Sequence, residues 1–462
     1  MPLDEGTKEL LSRRASDSPP EEQEEQRQDP YSSPDDDARL LRESRRQRAT
    51  RKARRQRKRR RLAVAFMAIL ATMALAAYSF EANSPSEGGP LVQLVQILPA
   101  ELVPLTQWQT QEQSDTAASE QEGTASEQPK DQEQPETNIY AATMSGQIKE
   151  SLADVPERVY VPDVTKNTID VIDPKTFQII DHYEVGQAPY HVTPSWDMSG
   201  LYVNDEASNM FTVIDPRTGR TKDTVPAPFP YNFYYTPDGS KAIVVNERQQ
   251  LLQFRDAKTW EVLGSVYIPW PGVDHIDFSK DGSYFLASSE WSGVVSKVDT
   301  DSMQLVDHAE VGGLPIDIRL SPDGSVFYVA NQGKMGVSVI DPDTMKEVEF
   351  IPTGEGAHGL EVSRDTKSLY VSNRLEGTIS VIDFATRKVT NKWTTGGTPD
   401  MMQLSPDGQQ LWIAGRYNGV VYVLDTGSGK LLKTIPTGTE PHGLTYFPSP
   451  GRFSLGHNGV YR

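Results

Sequence analysis

Residues 313–354 read "GLPIDIRLSPDGSVFYVANQGKMGVSVIDPDTMKEVEFIPTG". They are followed without a gap by "EGAHGLEVSRDTKSLYVSNRLEGTISVIDFATRKVTNKWTTG" (355–396) and "GTPDMMQLSPDGQQLWIAGRYNGVVYVLDTGSGKLLKTIPTG" (397–438). Each unit is 42 residues long and they align position by position, so the chain is built on an internal repeat. One aspartate keeps the phase: Asp173, Asp215, Asp256, Asp299, Asp341, Asp383 and Asp425. Their spacing stays between 41 and 43 residues, which gives seven units.

Each unit holds four short strand patterns; in 313–354 they are "DIRLS", "VFYVAN", "VSVID" and "EVEFI". Val, Ile, Tyr and Phe dominate and side-chain character alternates, as a half-buried strand requires. Ser321-Pro322-Asp323-Gly324 separates the first two strands, with proline presetting φ and glycine accepting a positive φ. Asp341-Pro342-Asp343-Thr344 separates the last two. An aspartate opening such a turn bonds backbone amides further on, which explains all seven aspartates without a carboxylate array. Seven copies of four antiparallel strands predict an all-β, seven-bladed β-propeller. A two-sheet sandwich would not need such regular copies, and no Gly-His…Trp-Asp pattern marks the WD40 class.

The first unit opens at Arg158 with "VYVPD", a second-strand pattern. Its missing innermost strand is expected from the tail "PHGLTYF" (441–447), in a three-plus-one clasp that removes the open sheet edges. The propeller is thus predicted over 158–447, with a C-terminal tail at 448–462. This reading gives the final "GRFSLGHNGVYR" no role.

The region before residue 158 is different. Residues 1–44 are polar and rich in Pro, Glu, Gln, Ser and Asp, a composition expected to stay disordered. Residues 45–61 carry twelve Lys and Arg and no acid. Residues 62–80, "LAVAFMAILATMALAAYSF", are uncharged and about 28 Å long as a helix, close to the bilayer's hydrocarbon thickness. The basic run before this segment and the acidic flank after it predict one transmembrane helix, an uncleaved signal-anchor in the plasma membrane. Residues 1–61 would then be cytoplasmic and the propeller extracytoplasmic. Residues 81–157 read as a low-complexity linker, long enough to span roughly 50 Å as a coil. The formal net charge is −18, concentrated outside the basic run, so the acidic main body would repel nucleic acid. The absence of cysteine excludes disulfides, thiolate metal sites and thiol catalysis.

Second-strand cores at Leu201-Tyr202-Val203-Asn204, Phe327-Tyr328-Val329-Ala330-Asn331 and Leu369-Tyr370-Val371-Ser372-Asn373 recur with Val-Ile-Asp-Pro at 171–174, 213–216 and 339–342. This pattern resembles the YVTN-repeat β-propellers of bacterial and archaeal surfaces and periplasms. The resemblance spans 158 to about 447 and implies the fold. It leaves function open, since the family includes surface-layer proteins, and related propellers include lactonases and the copper-bearing domain of nitrous oxide reductase. The unit around "AIVVNERQQLLQFRDAKTWEVL" departs furthest, with Arg255 and Ala257 in the "IDP" positions.

The first strand of each blade should line the central channel. Its leading residues bring His191, His275, His358 and His442 there, with Asp274, Asp317, Asp400, Tyr190 and Tyr231. The second-to-third-strand loops should place Arg248, Trp291, Arg374, Arg416 and Tyr417 as a rim on the same face. A polar funnel with an aromatic, cationic rim suits a protein, glycan or small-molecule ligand. A hydrolase or lyase with a histidine base, and a metal site, stand as alternatives. The Pro-Arg-His motif of lactonase-type propellers is missing from all seven loops, and no two histidines are adjacent as in the nitrous oxide reductase site. The expectation is therefore a binding or scaffolding module at the cell surface rather than an enzyme, with no catalytic residue, metal ligand or cofactor assigned.

Overall fold

The structure is a computed structural model and describes residues 138–462. The expected anchor at 62–80, the basic run and the linker up to 137 lie outside the described residues. Among the described residues, no helix is long and apolar enough to cross a membrane.

Seven antiparallel sheets follow one another along the chain. In blade 5 the strands are Pro315–Leu320, Phe327–Asn331, Gly336–Asp341 and Lys346–Pro352, from the innermost strand outward. The other blades repeat this order. Blade 1 closes as a three-plus-one clasp: Thr445–Phe447 pairs with Arg158–Asp163, matching Arg158 to Phe447 and Tyr160 to Thr445. All seven phase-keeping aspartates cap turns. For example, Asp341 Oδ1 accepts from the amides of Asp343 (2.9 Å) and Thr344 (3.0 Å). Asp173, Asp215, Asp256, Asp299, Asp383 and Asp425 accept backbone amides in the same way.

The apolar core lies between blades, with Trp412 fully buried among Val159, Val421 and Leu444. Polar staples link neighbouring inner strands near their lower ends. Asp277 accepts the Leu320 amide (2.7 Å), Glu361 the Leu404 amide (3.3 Å) and Gln403 the Tyr446 amide (2.6 Å). These satisfy backbone donors that neighbouring sheets cannot pair, as buried amides require.

Two features depart from the sequence reading. First, the end of the expected linker is packed rather than low-complexity coil. Tyr140 is buried and donates its hydroxyl to the Leu320 carbonyl (2.9 Å), while Leu152 and Val155 join the core beside blades 1 and 2. Residues 138–157 thus form a strap across the lower face, which carries the first-to-second-strand turns. A mostly polar composition hid three anchoring apolar side chains. Second, one blade has six strands instead of four. Ser454–Gly456 and Val460–Tyr461 form a hairpin on the inner strand Asn232–Tyr235 of blade 3. Inner strands in blades 2, 4, 5, 6 and 7 are interrupted by a one-residue bulge, but that of blade 3 pairs regularly. Its inner edge can therefore accept another strand.

The final residue of the second strand shows how the repeat tolerates exchange. Asn331 accepts the Leu314 amide (3.0 Å) and donates to the Gly312 carbonyl (2.8 Å). The equivalent residue in blade 2 is Asp205, which is fully buried and accepts from the Thr212 amide (3.0 Å). Burial raises its carboxyl to about 7, against lowering bonds from Thr212 and Gly186. A raised folded-state value means stability is fully present below the unfolded value of about 3.9 and is lost as pH rises through 7. Asp205→Asn removes that titration and uses the amide found elsewhere in the repeat. The variant is expected to match wild type only below about pH 4, to pull ahead as pH rises from there to about 7, and to melt several degrees higher at pH 9. Equal melting temperatures at pH 9 would show that Asp205 does not carry this alkaline loss.

Candidate functional site: a sealed histidine cluster in the channel

The inner-strand bulges fall on the residues that point inward. Register slips between Pro189 and Val192, Val273 and Ile276, Ala357 and Leu360, and Pro399 and Met402. The residues inside those steps include Tyr190, His191, Asp274, His275, His358 and Asp400. A bulge frees a side chain from strand alternation and re-aims it, here in blade after blade.

His191, His275 and His442 are fully buried and His358 is 3 % exposed. His191 and His442 lie with ring centres 4.7 Å apart, and His358 and His442 are 6.0 Å apart. Asp400, also fully buried, is their shared anchor. Its Oδ2 takes His442 Nδ1 (2.8 Å), while Oδ1 takes Arg374 (2.7 Å) and lies 2.8 Å from His358 Nδ1. Burial alone would raise this carboxyl, but Arg374, His358 and His442 together hold it well below the carboxylate range. Burial pushes His442 down to about 3 against the pull of Asp400; burial and then Arg374 lower His358.

The remaining funnel residues have partners of their own. Asp274 accepts Ser288 Oγ (2.5 Å), and Asp317 accepts Arg319 (2.6 Å) and the Leu360 amide (2.8 Å). Tyr190 and Tyr231 meet at a tilt with 5.1 Å between ring centres, beside His442 and His191. Arg416 lies over Tyr190 and Tyr417. Arg374, expected on the rim, is instead 2 % exposed inside the cluster. Arg248 is exposed and makes a two-pronged ion pair with Glu206 (2.8 and 3.0 Å), and the half-buried Trp291 packs on Gly272. The second-to-third-strand loops do share a face with the inner strands' leading residues: Glu290 and Arg374 donate their amides to Gly272 and Gly356.

The channel below this cluster is filled by the tail. His457 stands at the hairpin tip, fully buried, with ring centres 4.8 Å from His275 and 4.9 Å from His191. Asn458 Oδ1 accepts from His191 Nδ1 (2.7 Å), and Asn232 meets His457 Nδ1 at 2.8 Å. At the base, Arg462 pairs with Asp277 (2.7 Å) and lies against Tyr140 of the strap. A Cβ at Gly443 would collide with His191 and Asn458, so only glycine allows this approach. Sequence reasoning assigned nothing to these residues. A signal was present: Asn458-Gly459, ahead of Val460-Tyr461, is a turn dipeptide, and it falls in the three-residue loop 457–459 of the hairpin.

The fold and its closure define a seven-bladed propeller with a self-plugged channel. The profile of the YNCE-like beta-propeller matches residues 147–450, and the chain belongs to that family. Comparison with curated proteins gives no match. Among solved structures, a protein of unknown function from Desulfotomaculum acetoxidans is similar at 17 % identity and TM-score 0.56, over 63 % of this chain and 98 % of its own. Kuenenia stuttgartiensis hydrazine synthase aligns at 20 % identity and TM-score 0.49, covering 56 % and 91 %. The dihydro-heme d1 dehydrogenase NirN aligns at 18 % and 0.48, covering 63 % and 75 %. At 17 % identity the likeness to the Desulfotomaculum protein is one of fold.

Proposed function

We propose that this protein is a membrane-tethered extracytoplasmic propeller that binds or scaffolds a ligand or protein through its upper face. The sealed cluster carries the reading. Its histidines lie between the Tyr190–Tyr231 pair above and the tail hairpin below, and none is more than 3 % exposed. Buried, mutually anchored side chains rigidify a platform, whereas a hydrolytic base must reach its substrate. The loops of the upper face remain as the contact surface, with Arg248 exposed and Trp291 and Tyr417 half-buried.

The test is cross-linked capture with full-length protein in detergent. Arg248→Ala combined with Trp291→Ala and Tyr417→Ala should reduce partner recovery at least tenfold, which corresponds to about 1.4 kcal/mol. Arg217→Ala on the lower face should leave it unchanged. Capture indifferent to the rim variants would overturn the reading. Turnover of lactones or esters that depends on His358 or His442 would replace it with the hydrolytic one. Protease added to intact cells should cut the propeller and spare an amino-terminal tag; the reverse pattern would reject the proposed topology.

A further inference from the structure

Five of the chain's seven histidines lie inside the channel. A buried imidazole normally has both ring nitrogens partnered, because leaving one unpaired costs its desolvation. Here His191 Nε2, His442 Nε2, His457 Nε2 and both ring nitrogens of His275 are buried without a hydrogen-bond partner. One nitrogen from each of His191, His275 and His457 lies within 4.8 Å of the other two. These three come from the inner strands of blades 2 and 4 and from the tail hairpin. Three buried imidazoles from separate parts of the chain are thus gathered within ligand reach of one another.

We propose that His191, His275 and His457 form a structural site for a divalent first-row transition ion of the zinc class, which pins the tail hairpin inside the channel. Three imidazoles without thiolate suit zinc and its neighbours in the series. For His191 an outer partner already fixes the proton where ligation needs it. His191 Nδ1 donates to Asn458 Oδ1 (2.7 Å), leaving its Nε2 lone pair facing inward. His275 Nδ1 lies 3.4 Å from Asp274 Oδ1, a carboxylate that can hold its proton in the same way. Asn232 Nδ2 donates to His457 Nδ1 (2.8 Å) while its Oδ1 accepts the Phe233 amide (3.0 Å), so ligation through His457 Nε2 requires that side-chain amide to turn over on metal binding. His442, anchored by Asp400, stands beside the site with its own Nε2 unpaired.

Tetrahedral bonds of about 2.0–2.1 Å place ligand nitrogens about 3.3 Å apart, so binding draws the three rings inward by about an ångström. The site is complete only once the hairpin is seated. Metal would therefore be incorporated as the chain folds and would stabilise the plugged state.

The full chain is to be produced in zinc-supplemented and in metal-depleted medium, and its transition-metal content measured after purification. Wild type should hold about one ion per chain. His308→Gln, at an exposed histidine, should hold the same. His191→Gln and His457→Gln should lose at least tenfold in affinity. The loaded wild type should melt several degrees above the depleted protein, and that difference should vanish in both variants. If a variant fails to fold, wild type produced with cobalt decides, since three histidine ligands in tetrahedral geometry give an intense visible d–d band. Wild type with no bound metal and no cobalt band overturns the proposal, as does metal content unchanged in a folded His457→Gln. The upper-face binding reading would survive either failure, because capture through the rim is measured separately.

Discussion

Truncation after Gly438 is expected to abolish the monomeric propeller, and truncation after Pro448 to leave a folded but much weaker one. The first cut removes Thr445–Phe447, the inner strand that pairs with Arg158–Tyr160. It also removes Leu444 and Tyr446 from the core they share with Trp412. The strand Arg158–Asp163 is then a bare edge beside an unclosed ring, a template for pairing with other chains. The expected product is oligomeric, without a cooperative melt. The second cut spares this clasp and removes only the plug. Leu455, Val460 and Tyr461 are all buried, and full burial of such a side chain is worth about 1.5–3 kcal/mol. Water can refill the channel and solvate Asp277 once Arg462 is gone, so the loss is mainly apolar burial, of order 5 kcal/mol. At about 2–4 °C per kcal/mol for a large domain, the melting temperature should fall by roughly 10–20 °C. Size-exclusion light scattering and thermal melts separate the two cases. A monomeric Gly438 truncation that melts like the full chain would remove the clasp from the account.

Legibility in the sequence followed repetition. The strand order, the turn aspartates and the clasp could be read because each unit states the same local chemistry again. Asp341 and Asp383 cap their turns through contacts two or three residues away. The plug has no second copy. Its bonds run from Asn458 to His191, from His457 to Asn232 and from Arg462 to Asp277, between 185 and 267 residues apart in sequence. Nothing in a local window encodes those separations. The strap was hidden for a related reason: Tyr140, Leu152 and Val155 are scattered in a polar stretch and gain their meaning only against the lower face. The site was half legible. The leading positions of the inner strands identified His191, His275, His358, His442 and Asp400, but an open funnel was expected. Sealing depends on the hairpin tip and on Arg374 folding inward, which are tertiary facts.

Asp400→Asn is expected to cost about 3–5 kcal/mol, because it keeps the shape of the side chain and removes a carboxylate that Arg374, His358 and His442 share. Arg374 would remain 2 % exposed and lose this buried ion pair. The pH dependence distinguishes this from a simple packing defect. Asp400 is depressed in the folded state, so its contribution is fully present above the unfolded value of about 3.9 and is lost as pH falls through the lower folded value. His442, held at about 3, works over a wider range: the unfolded chain takes up its proton below about 6.5, so acid weakens the fold from there downward. Glu361, raised to about 7 chiefly by burial, acts in the opposite sense and loses its contribution as pH rises. Groups that do not feel Asp400 cancel when wild type and variant are compared at each pH, but His358 and His442, which Asp400 pulls up, do not. The stability gap should therefore stay level above about pH 7 and become pH-dependent below it, as these histidines and Asp400 titrate together. Adding Arg374→Met should recover part of the loss, since removing both partners leaves no buried charge to compensate. A gap below about 1 kcal/mol, or a double variant weaker than the sum of the singles, would mean that this carboxylate does not hold the cluster together.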